Sequence, residues 1–147
     1  GKRSSNMLAD FINHYFRYIF DNVHLVSTNT TIDMFEEVFR IDSNDVLIAI
    51  SYPRYSNRTK IVAEFAKRRG ATVIALTDSD IAPITTFADI KLFARSDMAS
   101  FVDSLVAPLS IINALIVALS RAKQDELTDT FARLEAVWDE FDVYNRE

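Results

Sequence analysis

Apolar residues near the start of the chain fall in pairs nearly four positions apart: Met7/Leu8, Phe11/Ile12, Tyr15/Phe16 and Ile19/Phe20. That interval returns about once per helical turn. The pairs therefore form one stripe and predict an amphipathic helix over Ser5 to Phe20, with Asp10, Asn13 and Arg17 off the stripe. The pattern then changes. "VHLVST" (Val23 to Thr28) is short, rich in β-branched residues and bounded by polar ones, which predicts a strand. "IDMFEEVFR" is read as a helix, with Thr30 or Thr31 placed to cap it. "DVLIAIS" is an almost unbroken apolar run, as expected of a strand covered on both faces.

"NRTKIVAEFAKRRG" resumes helical spacing through Ile61, Val62, Phe65 and Ala66. Its basic last turn suits the negative end of the helix dipole, and Gly70 stands where a left-handed C-terminal cap is wanted. "TVIALT" and the shorter "DIKLFA" predict two further strands. Two helices follow, about Met98 to Ala122 and about Asp125 to Tyr144. Strands alternating with helices define an α/β domain with a parallel sheet, helices on both faces and right-handed connections. No repeat, low-complexity stretch or linker interrupts the chain. "TDSDIAPITTFAD" is irregular but too short to separate domains, so residues 1–147 read as a single domain.

Composition narrows the possible chemistry. A hydrophobic share of 49% and a charged share of 25% are ordinary for a folded domain. The lack of cysteine excludes disulfides, thiol catalysis and cysteine-ligated metal. His14 and His24 have no ligand spacing, so neither a metal nor another cofactor is expected. The net charge is −5 and no basic run stands out, so the domain is not expected to grip nucleic acid by itself. The longest apolar stretch, Leu105 to Leu119, is interrupted by Pro108, Ser110 and Asn113, and reads as a core or interface helix rather than a membrane span. Its stripe of Phe101, Leu105, Leu109, Ile112, Ile116 and Leu119 predicts burial all round, inside the domain or against another subunit. Trp138, Leu134, Val137 and Phe141 form a packing stripe. With no signal peptide and no initial Met, the chain is expected to be a cytoplasmic fragment that has lost its upstream part.

The candidate chemistry lies in "SYPRYSNRT" (Ser51 to Thr59), directly after an apolar strand. In an open parallel sheet, ligands sit beyond the carboxyl ends of the strands. The helix that starts there presents unpaired N–H groups and partial positive charge. Ser51, Ser56 and Thr59 add hydroxyl donors, Asn57 an amide, and Arg54 a guanidinium able to hold a phosphate through two bonds. The plain alternative is a capped turn, with Ser56 accepting from the N–H of Arg58 or Thr59 and Arg54 solvated. Asp78 and Asp80 in "TDSD" suit a turn and helix start better than catalysis. His14 and His24 read as structural. Ser100 and Asp103 stand near the expected start of the long helix, where Ser100 could cap it.

These segments together resemble a sugar-isomerase (SIS) domain of the kind carried by RpiR/MurR-type bacterial transcription regulators. The markers are "GKRSS", "SYPRYSNRT", "RRGATVIALTDSDIAPITTFAD" and "SFVDSLVAPLSIINALI". The resemblance implies a three-layer α-β-α sandwich around a parallel sheet, SIS or flavodoxin-like, with its first strand missing from this chain. Members usually carry Ser-x-Ser-Gly-x-Thr in the loop that binds a sugar's phosphate. Here Ser51 stands for the first serine, Ser56 for the second and Thr59 for the threonine. Three extra residues separate the serines, Asn57 stands at the glycine, and Arg54 and Tyr55 form a pair seen in one branch of these regulators. "GKRSS" resembles the second ligand loop, which would bring Arg3, Ser4 and Ser5 to the site; Ser100 joins them from the far end.

The implied function is an effector-binding and dimerisation domain, not an enzyme, of a regulator of carbohydrate metabolism. The implied partners are a phosphorylated sugar, a second copy or higher homo-oligomer through the long helix or the first, and DNA only through an upstream helix-turn-helix domain; no membrane is implied. Two alternatives stand beside it. One is a sugar-phosphate isomerase, for which Glu64 and His14 are the available bases, neither with an evident partner. The other is a vestigial domain whose "PRY" fills the pocket and which serves only to dimerise.

Overall fold

Leu8, Ile12, Phe16 and Ile19 are buried along one side of α1 (Lys2–Ile19), the stripe that the apolar pairs define. Here and below, the computed structural model describes residues 2–28, 30–97 and 101–144. After α1 come α2 (Thr31–Val38), β1 (Val46–Ile50), α3 (Asn57–Arg68), β2 (Thr72–Thr77), a 3₁₀ turn at Pro83–Phe87, β3 (Ile90–Phe93), α4 (Val106–Ala122) and α5 (Gln124–Glu140). The three strands are parallel, in the order β1-β2-β3. Ile48 pairs with Ile74, Ile50 with Leu76, and Leu76 in turn with Leu92.

Strand alternation sorts the core into two layers. On one face Ile48, Ile50, Leu76 and Leu92 pack with Leu8, Ile12 and Phe16 of α1 and Ile112 of α4. On the other, Ala49, Val73 and Ala75 meet Ala63 and Ala66 of α3, with Ala82 and Ile84 beside them. Alanines on both sides let α3 lie close against the strands. Helix α2 rests on α3 through Phe35 and Phe65, whose rings meet edge-on with centroids 5.3 Å apart. Helix α5 reaches α1 through the stacked rings of Tyr18 and Phe131. The result is an α-β-α sandwich, the expected fold class.

Local signals hold where the chemistry is local. Thr30 caps α2, its Oγ1 accepting from the Asp33 N–H at 3.1 Å. After α3, Gly70 (φ +87°) takes the left-handed position. The Gly70 N–H donates to the Lys67 carbonyl and the Ala71 N–H to the Ala66 carbonyl, each at 3.1 Å. That pair of bonds is a Schellman motif, which satisfies carbonyls the helix itself leaves open.

Two expectations need correction. Val23–Thr28 forms no strand. Val26, Ser27 and Thr28 face Leu47–Ser51 across a cleft, so they flank the edge of β1 without pairing to it. A β-rich sequence is no strand without a neighbour to bond. The long helix begins at Val106, not near Met98, a residue outside those described. Pro108 fits the first turn, where no N–H is needed, but one more turn upstream would press its ring on the Ser104 carbonyl. Phe101 consequently lies off the helix and exposed. Within one chain α4 is covered on one side only: Pro108 and Ile112 are buried, while Val106 and Val117 are 74% and 50% exposed, so the burial all round that its stripe predicts would need another subunit.

Candidate functional site

The carboxyl end of β1, the amino ends of α1 and α3 and the segment Val26–Thr28 line one cleft of about 150 Å³. Ser51 prolongs β1 into it. Its N–H donates to the Leu76 carbonyl at 3.1 Å, extending the ladder, and its own carbonyl accepts from Thr77 Oγ1 at 2.6 Å. Ser51 is thus fixed by backbone bonds and is almost fully buried. Its Oγ accepts from the Ser56 N–H at 3.3 Å. Ser56 caps α3, its Oγ accepting from the Thr59 N–H at 3.5 Å.

Both serine oxygens therefore serve the loop as acceptors. Each keeps its own O–H proton, which remains able to donate to an anion. The capping reading and the anion reading are compatible, because the bonds that build the loop use the hydroxyl lone pairs and not the protons. The Asn57 N–H, first in α3, has no acceptor inside the helix, and the helix dipole adds positive charge there.

The left-handed residue of the loop is Arg54 (φ 63°), and Asn57 instead opens α3 in helical conformation. Asn57 therefore does not reproduce a left-handed glycine. The residues "PRY" between the serines carry the turn, and the strained conformation falls on Arg54. Arg54 is exposed, lines the cleft, and belongs to none of the ion pairs among the described residues.

Tyr55 turns away from the cleft lining. Its hydroxyl donates to both oxygens of Asp78, at 2.9 and 3.1 Å, and Thr77 Oγ1 lies 3.1 Å from the same carboxylate. Burial, then the bond to Asp78, raises the Tyr55 pKa, so the phenol stays protonated. Asp78 is thus a structural acceptor at the end of β2 that holds the loop after β1.

Ser5, Ser51, Arg54, Ser56 and Thr59 share the cleft. Ser4 instead donates to Asp103 Oδ2 at 2.5 Å, joining α1 to the segment before α4. Asn57 is exposed and is not part of the cleft lining. The Arg3 side chain and Ser100 lie outside the described residues. Asn6, Thr28, Tyr52 and Arg58 also line the cleft and were not singled out by sequence. For Tyr52 the signal was available, because alternation carried past Ile50 puts it on the face opposite Ser51.

The bases available to an isomerase are engaged elsewhere. Glu64 forms an ion pair with Arg68 at 2.5 Å, and His14 packs edge-on against Tyr15 and Tyr18.

The SIS domain family model matches residues 1–118. The chain belongs to the SIS domain family. An uncharacterized HTH-type transcriptional regulator of Haemophilus influenzae is 28% identical over 101 residues, which are 66% of this chain and 35% of that protein. The chain therefore spans about a third of that relative's length. Among solved structures, the sugar isomerase domain of an RpiR transcription factor from Sphaerobacter thermophilus superposes with a TM-score of 0.81 at 22% identity, covering 90% of this chain and 74% of that one. The Vibrio vulnificus NanR protein complexed with ManNAc-6P gives 0.74 at 17% identity, covering 94% of this chain and 53% of that one. At these identities the structures establish the fold of this SIS domain and nothing finer. No single helix among the described residues is long and apolar enough to cross a membrane.

Proposed function

We propose that this SIS domain is the effector-sensing module of a transcription regulator of carbohydrate metabolism, and that it takes a phosphorylated sugar in the cleft. The observation that carries this reading is the convergence of Arg54, Ser51, Ser56 and Thr59 at the amino end of α3. The helix end and the two hydroxyl protons provide donors, and the guanidinium provides the charge. NanR, a structural neighbour, is complexed with the phosphorylated sugar ManNAc-6P. Arg3 and Ser100 are proposed to complete the site.

The site is proposed to bind rather than to catalyse. Proton transfer between adjacent carbons needs a base near neutral pKa beside the substrate. Glu64 and His14 have other partners, and the cleft supplies donors instead. DNA contact is assigned to a helix-turn-helix domain elsewhere in the protein, in keeping with the HTH-type relative and the net charge of −5. The exposed apolar side of α4 is proposed as the contact between two copies, in a protein of the cytoplasm. A sugar phosphate would then change how the two DNA-binding heads are held, by as much as it favours one arrangement over the other.

Thermal melting in the presence of sugar phosphates, each beside its unphosphorylated sugar, tests the reading. A ligand at about a hundred times its Kd adds roughly 2.7 kcal/mol, a shift of several degrees for a domain of this size. A phosphate-dependent shift that disappears in Arg54→Ala is expected. Flat curves across all the sugars would favour a domain that only dimerises.

A further inference from the structure

Tyr52 carries a buried polar group that neither packing nor folding explains. The residue is 6% exposed, and its hydroxyl is the one buried side-chain polar atom among the described residues with no hydrogen-bond partner. It belongs to a buried cluster whose other members, Leu8, Ile12, Phe16, Ile50, Leu76 and Ile112 among them, are apolar, and it forms no bond to the nearby Asp78. Burying a hydroxyl in such surroundings without a partner is costly. Phenylalanine would fill the same space without that cost. The hydroxyl therefore needs a role outside the packing.

Its position supplies one. Tyr52 follows Ser51, and both line the cleft with Ser5 and Asn6 at the start of α1. Alternation sends the two side chains to opposite faces of the sheet, so Ser51 works with α3 while Tyr52 lies on the α1 side. Burial and then the nearby Asp78 charge push the Tyr52 pKa up, which keeps the phenol neutral. A neutral phenol both donates and accepts, and so matches a sugar hydroxyl or carbonyl oxygen better than a phosphate, which calls for charged or N–H donors.

We propose that the Tyr52 hydroxyl reads the sugar: it bonds an oxygen on the carbon skeleton of the bound sugar phosphate, while the serine loop and Arg54 hold the phosphate. This rests on the phosphosugar reading of the cleft. A pocket that leaves a buried polar group unpaired until its ligand arrives rejects analogues lacking the matching oxygen more strongly than an apolar pocket could.

The test compares the wild-type chain with Tyr52→Phe, titrated with inorganic phosphate and with pentose 5-phosphates, hexose 6-phosphates and N-acetylhexosamine 6-phosphates. The ligand-free variant is expected to melt at the wild-type temperature or above it. Its affinity for inorganic phosphate should be unchanged, and that for the wild type's tightest sugar phosphate should fall about five- to twentyfold. A ligand-free Tm several degrees lower would mean that the hydroxyl is bonded within the fold, and the proposal fails. Equal losses for phosphate and sugar phosphate would make Tyr52 a support of the phosphate loop, and the proposal again fails. Sugar phosphates bound equally by both chains would overturn the role of Tyr52 alone. A wild-type chain that binds none of these probes would overturn the phosphosugar reading and this proposal with it.

Discussion

Tyr55 and Asp78, 23 residues apart in sequence, are joined by a phenol that donates to both carboxylate oxygens. The bond ties the loop after β1 to the end of β2, one residue beyond the strained Arg54. Removing it in Tyr55→Phe leaves the ring but frees the loop. A hydrogen bond to a charged group contributes about 1.5–3 kcal/mol, and partial exposure here puts the expected loss at about 1–2 kcal/mol. Urea unfolding of the two chains measures it. An unchanged midpoint would show that the loop is held by its serines instead.

Arg54 allows stability and binding to be moved in opposite directions. A residue other than glycine in the left-handed region costs about 1–2 kcal/mol. Arg54→Gly removes the strain, less glycine's greater freedom in the unfolded chain, whereas Arg54→Ala retains it. The glycine variant should be the more stable of the two by about 1 kcal/mol in thermal melts. Both should lose about tenfold or more in phosphate affinity, since neither supplies a guanidinium. Equal stability of the two would show that the loop changes conformation when the side chain is cut back.

Gly70 is the contrasting case, where glycine fits a conformation that side chains resist. Its φ is +87°, and a Cβ there would lie 3.4 Å from the Ser43 Cβ. Gly70→Ala is expected to destabilise by about 1–2 kcal/mol, chiefly through the backbone. Chemical denaturation checks the size.

How far the sequence discloses the structure depends on whether the deciding contact is local. Gly70 after a basic turn, Thr30 before α2 and Ser56 before α3 are signals read within a few residues, and each cap forms. The run Val46–Ile50 reads as a strand because both its faces are apolar, and both are covered. Val23–Thr28 has equal β-propensity, but a strand also needs a bonded neighbour, which propensity does not reveal. Pro108 marked where α4 must begin, and the apolar stripe running upstream to Phe101 concealed it. In the site, Ser51, Ser56 and Thr59 were legible from hydroxyls at a strand end. The left-handed turn at Arg54 and the unpaired Tyr52 hydroxyl depend on loop geometry and on tertiary surroundings.

The exposed side of α4 carries the proposal for self-association. Val106 and Val117 are 74% and 50% exposed, on a helix whose other side is packed against α1. Val106→Asp combined with Val117→Asp puts two charges on that surface and none in the core. The double variant is expected to sediment as a monomer at concentrations where the wild type is dimeric, with its far-UV circular dichroism unchanged. A dimer that survives would move the contact to another surface.

Asp89 predicts the acid limb of the stability curve. Its carboxylate pairs with Lys67 and accepts from the Val73 N–H at 2.9 Å, and these bonds hold its pKa below the usual carboxylate value, the Lys67 bond most of all. A carboxylate with a lower pKa in the folded state contributes stability that is fully present above its unfolded value, about 3.9, and that fades as pH falls through the folded value. Asp89→Asn keeps an oxygen for the Val73 N–H but no longer titrates or pairs with Lys67. The wild type should therefore be the more stable chain at pH 7, and the gap should close as pH falls below about 4. Thermal melts of both chains across that range measure the gap, in low salt so that screening does not mask an exposed pair. A gap that stays constant with pH would mean that the loss comes from geometry at Val73 rather than from the Asp89 charge.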